Sequence, residues 1–306
     1  MVGRYDNIQM KPVSIPIFEN KIARIGLFRC PTEHPSFGDT GPIRNGHLMV
    51  FPRTSVRILF PDREPIVATP HTVMFYNEQQ CYRREPLSSD GDRCEWFAFA
   101  PTLLTAALAA REPGAQIEST HPFSLAHAQS DARCYLQQRL IVAHLLQARA
   151  QGEPPDHLWL EEALHNLLAC VLDQLEDRSS PKPNPGRRKC SPQTQRDHRA
   201  MVRTVQDQIS ASFACAITIN ELAAGVHLSP HELCRIFRAQ TATTIHQYTA
   251  QLRMRAALER ITDPGTDLTA VALDLGYSSH SHFTSAFRRA FGILPSALRR
   301  NQRVGA

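Results

Sequence analysis

Two stretches decide how this chain is read: Ser229–Thr243, SPHELCRIFRAQTAT, and Ser279–Ile293, SHSHFTSAFRRAFGI. Set fifty positions apart, they correspond: Leu233 with Phe283, Ile236 with Ala286, Phe237 with Phe287 and Arg238 with Arg288. Each follows a short apolar segment, Ile219–Val226 in the first and Leu268–Leu275 in the second. A short apolar helix, a tight turn and a second helix with one apolar and one polar face is the pattern of a helix-turn-helix. Two such patterns in one small region are far more specific than one.

A helix that enters a major groove needs an apolar inner face to hold its angle and an outer face able to meet base edges. In the first stretch Leu233, Ile236 and Phe237 fall inward, leaving His231, Cys234, Arg235 and Arg238 outside. Arg235 is the strongest base-reading candidate, because a guanidinium can bond both acceptors of guanine. In the second, Phe283, Ala286 and Phe287 fall inward. His280, Ser281, Thr284 and Ser285 face out, and Arg288 and Arg289 suit phosphate.

Charge supports this division. From Gln195 to Ala306 there are 13 Arg, no Lys and 8 acidic residues, which accounts for the whole net charge of +5. The rest of the chain balances at 21 basic and 21 acidic residues. A basic module joined to a neutral one suits a polyanion partner. The longest apolar stretches fall well short of a membrane span, and no apolar leader follows a basic start. The expected location is cytoplasmic. Eight scattered cysteines in 306 residues are unlike a small disulfide scaffold, so reduced thiols are expected.

Residues 1–20 are polar and Pro-spotted and read as an extended arm. Strand signals follow at Ile22–Arg29, His47–Phe51, Ser55–Phe60, Thr72–Tyr76 and Glu95–Phe99, which suggests a small β-sandwich or barrel. Helical period begins near residue 100, with Thr102–Ala110, Ala126–Ala150 and His157–Glu176; the last two form a hairpin after Gly152–Pro155. Its apolar width could serve the β-rich part, a second subunit or both. These elements place a regulatory domain at 21–176. The Pro-rich stretch 177–197 reads as a linker, and 198–306 as an all-helical domain. There the expected helices are Arg199–Phe213, one from Ile219 capped by Thr218, one through Ala239 capped by Ser229, Thr244–Ile261, Leu268–Leu275, His280–Phe291 and a short one opened by Pro295. Asp263-Pro264-Gly265 ends the long helix, and a basic tail closes the chain.

The C-terminal region, 199–301, resembles the DNA-binding domain of AraC/XylS-type transcriptional regulators. The likeness rests on A-x(2)-V-x-L-S at Ala223–Ser229, LCRIFR at Leu233–Arg238, the long connecting helix, and DLGYSSHSHFTSAFRRAFGILP at Asp274–Pro295. It implies two helix-turn-helix units bridged by one helix and bound to successive major grooves, with RNA polymerase as a further partner. The family often has Arg where Ser285 stands, and Gly where Ala242 stands. The N-terminal half resembles the family's regulatory domain in layout only. That implies a cupin-like barrel binding an unknown effector or protein partner, and a homodimer formed through the helices. An activator that needs no cofactor and performs no catalysis is the expectation.

The first hundred residues leave a second class open: a metal-dependent or thiol-sensing barrel, enzyme or sensor, fused to a DNA-binding anchor. Cys30, His34, Cys81 and Cys94 are its candidate ligands or thiols, with Cys81 and Cys94 flanking a polar loop, 83–93. Phe51, Phe75, Tyr76 and Trp96 are candidate walls of an effector pocket. A nucleoid-associated architectural protein is a third class.

Overall fold

The computed structural model describes residues 13–44, 46–111, 120–179, 191–215, 217–261 and 266–303. The chain divides into two compact units, Met1–Ser180 and Pro181–Ala306. Among the described residues no helix is long and apolar enough to cross a membrane.

In the first unit, short runs of β-branched and aromatic residues form ten strands among the described residues. They are β1 (Val13–Glu19), β2 (Ala23–Cys30), β3 (Asp39–Pro42), β4 (Leu48–Pro52), β5 (Val56–Leu59), β6 (Ile66–Ala68), β7 (Thr72–Tyr76), β8 (Cys81–Pro86), β9 (Asp92–Phe99) and β10 (His127–Gln129). They pair in two antiparallel sheets, ordered β1-β2-β9-β4-β7-β10 and β3-β8-β5-β6. Three helices complete the unit: α1 (Pro101–Ala109), α2 (Ala132–Gln151) and α3 (His157–Ser179).

The larger sheet is covered on both faces, which is why β4, β7 and β9 read as nearly unbroken apolar runs. Because side chains alternate along a strand, Met49, Phe51, Val73, Phe75 and Phe97 turn toward the helices. There they share a core with Ile141, Val142 and Leu145 of α2 and Leu160, Leu164, Leu167 and Leu172 of α3. Their neighbours Val50, Met74, Tyr76 and Trp96 turn the other way, into a core shared with Val56, Ile58 and Ala68 of the smaller sheet. Gly26 lies opposite Trp96 in the β2–β9 register. A Cβ at Gly26 would stand 2.1 Å from the indole, so the glycine makes room for that ring.

Several sequence expectations change here. Part of the expected arm is β1, an edge strand paired with β2 through a bulge between Pro16 and Phe18. Proline is tolerated at such an edge, and it hid the strand. The expected polar loop after Cys81 begins as β8, whose Arg84 is buried because Asp92 pairs with it at 2.7 Å. Ala126 precedes a strand, not a helix, and α2 starts six residues later with Asp131 capping the Cys134 N–H. Cys134 and Cys170, expected as reduced thiols, are joined by a disulfide between α2 and α3. Both ends of the expected linker are helical: α3 runs to Ser179, and the next helix begins at Pro192. The middle of that stretch, the Asp263-Pro264-Gly265 stop, residues 1–12 and the last three residues lie outside the described residues.

The second unit contains α4 (Pro192–Ser212), α5 (Ile219–Gly225), α6 (Pro230–Thr241), α7 (Ile245–Ile261), α8 (Leu268–Asp274), α9 (His280–Phe291) and α10 (Pro295–Arg303). Two of its starts carry full capping boxes. Thr218 and Glu221 close the first turn of α5, and Ser229 and Glu232 that of α6, each side chain satisfying a backbone N–H left over at the helix start. Val202, Val205 and Ile209 of α4 form one core with Leu222, Ala223, Leu233, Ile236 and Phe237, and with Tyr248 and Leu252 of α7.

Candidate nucleic-acid interface and ligand cavity

Helix α6 buries Leu233, Ile236 and Phe237, so its opposite face is left to solvent. That face carries His231, Cys234, Arg235 and Arg238, all exposed. Helix α9 repeats the arrangement: Phe283 and Phe287 are fully buried, and His280, Ser281, Ser285, Arg288 and Arg289 are exposed. Thr284 departs from expectation. It is half-buried, and its hydroxyl is sealed from solvent with no partner among the described residues. Ala286, expected inside, is half-buried as well.

The two turns differ by one residue. From N-cap Thr218 to N-cap Ser229 is eleven positions, and from Asp267 to Ser279 twelve. His227 takes the left-handed conformation in the first turn, with φ 54°, and Gly276 in the second, with φ 77°. At the far ends of α6 and α9 the equivalent residues are Ala242, φ 58°, and Gly292, φ 75°. Ala242 therefore keeps the turn geometry that a glycine gives its counterpart.

In the first unit a cavity of about 400 Å³ opens between the sheets. Of the four candidate wall residues, Tyr76 and Trp96 line it, and Phe51 and Phe75 point into the helix-facing core. The expectation failed for those two because strand alternation puts each on the opposite face from its cavity-lining neighbour, Val50 or Tyr76. Phe28, Ile58, Met74 and Tyr82 add apolar wall, and Arg24, Arg84 and Asp92 add charge. Arg84 is held fast: it donates to Asp92 and to the Phe37 and Ser36 carbonyls at 2.7–3.1 Å. Arg24 lies 5.8 Å over the Trp96 ring, whose Nε1 donates to the Ser14 hydroxyl. Burial pushes the Tyr76 and Tyr82 phenols well up, so both stay neutral donors at the cavity wall. Burial also raises the Asp92 carboxyl, against the pull of Arg84. None of Arg24, Arg84, Asp92 and Tyr82 was singled out from sequence; a charged residue inside an alternating strand was the available signal.

The thiol and metal candidates do not assemble. Cys30 and Cys94 are buried, and burial raises both thiols away from the reactive thiolate; Cys81 is exposed. His34 uses its Nδ1 to accept the Ser36 N–H at 3.0 Å. Among the described residues, the group with ligand atoms gathered within 4.8 Å is Asp131, Cys134 and Cys170, and its two sulfurs are bonded to each other.

Within the second unit, residues 222–301 match the family described as a helix-turn-helix domain. The regulatory protein SoxS of Salmonella typhimurium is 29% identical over 102 residues, 33% of this chain and 95% of that protein. The HTH-type transcriptional activator RhaR of Pectobacterium atrosepticum is 30% identical over 142 residues, 46% of each chain. A DNA-binding transcriptional dual regulator from Escherichia coli K-12 has a crystal structure similar over 33% of this chain and 96% of that one, at 29% identity and a TM-score of 0.31. The chain spans about a third of the length of the first curated relatives it matches, 27% to 37%. The C-terminal region is an AraC-type helix-turn-helix domain.

Proposed function

We propose that the chain is a sequence-specific DNA-binding transcription regulator, acting as an activator under the control of its first unit. Two helix pairs, α5–α6 and α8–α9, work as helix-turn-helix units whose second helices enter successive major grooves. The observation that carries this is the matched pair of exposed helix faces, each backed by a buried apolar seam and set in the region holding the whole excess of positive charge. Arg235 reads a base edge, with His231 and Cys234 beside it. Arg238, Arg288 and Arg289 hold phosphates, and none of these four arginines is tied to another described side chain by a hydrogen bond or ion pair. On the second helix His280, Ser281 and Ser285 offer short polar contacts. Thr284 contributes less, because its hydroxyl lies under the surface.

The intersheet cavity takes a small, mainly apolar effector with a hydrogen-bond acceptor for the tyrosine hydroxyls. The α2–α3 hairpin serves a homodimer, and RNA polymerase is the partner on the promoter. The name of RhaR as an activator supports the activating direction. The alternative of a metal or thiol centre at Cys30, His34, Cys81 and Cys94 is disfavoured because their ligand atoms form no group of three within 4.8 Å among the described residues, and because Cys30 and Cys94 are buried.

The test is a mobility-shift titration of the full chain on a duplex it has selected from a random library. Replacing Arg235 by Ala should weaken binding by about 1–3 kcal/mol and relax preference at one base pair. Unchanged affinity and unchanged preference would remove Arg235 as a reader.

A further inference from the structure

The single side chain Arg253 stands where the two helix pairs meet. It lies on α7, and its guanidinium reaches in two directions. Nε donates to the Phe213 carbonyl at 2.7 Å, and one terminal nitrogen donates to the Cys215 carbonyl at 3.1 Å. The other terminal nitrogen donates to the Gly276 carbonyl at 3.3 Å. Phe213 is the C-cap of α4, the helix packed in the core of the first pair. Gly276 follows the C-cap of α8 and forms the turn of the second pair. The last carbonyls of a helix lack intrahelical partners and carry the negative end of its dipole. One cation therefore ties the C-cap carbonyl of α4 to a carbonyl of the turn that follows α8.

The second observation is the choice of residue at the turn. In the first turn the left-handed position is filled by His227, an exposed residue with a side chain. In the second it is Gly276, and a Cβ there would stand 2.9 Å from the Ala214 carbonyl and 3.1 Å from the Arg253 guanidinium. The backbone of the second turn is thus pressed against both Arg253 and the segment leaving α4. The first turn has no such constraint.

We propose that Arg253 and Gly276 form a latch that fixes the separation and angle of α6 and α9, so that Arg253 is a positioning residue for two-groove recognition. This rests on the two-groove reading above. A helix pair held in register with its neighbour binds its own groove at a high effective concentration once the first is engaged. Loosening the latch leaves each pair folded on its own core and removes that advantage.

The experiment uses the full chain and two duplexes of about 30 bp, three helical turns. One is selected by the wild-type chain from a random library; in the other the groove engaged by α9 is replaced with scrambled sequence. Arg253→Met should lose about tenfold or more on the selected duplex and less than about twofold on the half-scrambled one. Arg253→Lys should fall between wild type and Arg253→Met. Equal losses on both duplexes, or no loss on either, would overturn the latch. A DNA-free reading accompanies it: spin labels at Cys234 and at Ser285→Cys, with Cys81, Cys190 and Cys215 replaced by Ser, report the distance between α6 and α9. The distribution should broaden in Arg253→Met and Gly276→Ala, and a distribution as narrow as wild type in both contradicts the proposal. If the wild-type chain selects no duplex at all, the functional reading fails, and the spin-label distances decide the latch alone.

Discussion

Ala242 shows how much one residue can reveal when a fold repeats itself. It ends α6 at φ 58°, and its counterpart at the end of α9 is Gly292. An L-residue with a Cβ costs roughly 1–2 kcal/mol in that conformation, while glycine adopts it freely but loses more entropy on folding. Ala242→Gly should therefore raise stability by about 0.5–1 kcal/mol, read as a higher urea midpoint at constant slope. A lower midpoint would mean that the Ala242 methyl makes contacts that outweigh its backbone strain. Burial on α6 and α9 was legible because a helix repeats every 3.6 residues, so the buried positions Leu233, Phe237, Phe283 and Phe287 also fix the exposed ones. Thr284 was not legible: a residue on the flank of the stripe is exposed or covered according to the neighbouring helix, which the stripe alone does not specify. Arg253 was equally silent, since its partners are backbone carbonyls 23 to 40 positions away in the chain.

At the scale of elements, the capping boxes carry a pH signature. Glu221 is held below the usual carboxylate range chiefly by the Thr218 backbone N–H, and Glu232 chiefly by the Ser229 hydroxyl. Both ionise more readily folded than unfolded. Their contribution is complete above the ordinary glutamate range and is lost as pH falls through the lowered folded values. Glu232→Gln should thus differ from wild type in urea midpoint at neutral pH, and the two should converge on acidification; a gap that persists in acid would contradict the box as its source. These helix starts were readable because a cap is a local arrangement of four residues. β8 was not, because Arg84 is buried only by virtue of Asp92 on the next strand. The α2–α3 disulfide was also beyond sequence reasoning, since eight cysteines offer many pairings and only packing brings Cys134 and Cys170 together. Crosslinking across 36 positions should contribute about 3–4 kcal/mol by chain entropy. Reduction, or Cys134→Ser with Cys170→Ser, should lower the unfolding midpoint of the first unit and leave that of the second in place. Equal midpoints with and without reductant would show that the crosslink adds nothing.

At the scale of the whole molecule, the sequence divides more clearly by charge than by periodicity. All of the net +5 lies from Gln195 onward, in the unit that carries the AraC-type domain. The first unit, Met1–Ser180, holds 17 basic and 21 acidic residues, a net charge of −4, and its two sheets enclose a mainly apolar cavity. A basic unit joined to an acidic one suits a polyanion partner for the basic one. The broad plan was legible because a period of two dominates up to Phe99 and a period of 3.6 dominates after it. The cavity was only half legible, through Tyr76 and Trp96, because alternate residues of a doubly covered sheet are equally apolar and the sequence does not say which face is hollow. In the proposed function, two helices of the second unit read successive grooves on one face of DNA. Hydroxyl-radical footprinting of the full chain on its library-selected duplex tests it most directly. Two protected windows centred about 10 bp apart on one face of the duplex are predicted, with the window beneath α6 losing sequence preference in Arg235→Ala. A single protected window, or protection spread evenly along the duplex, would contradict the account.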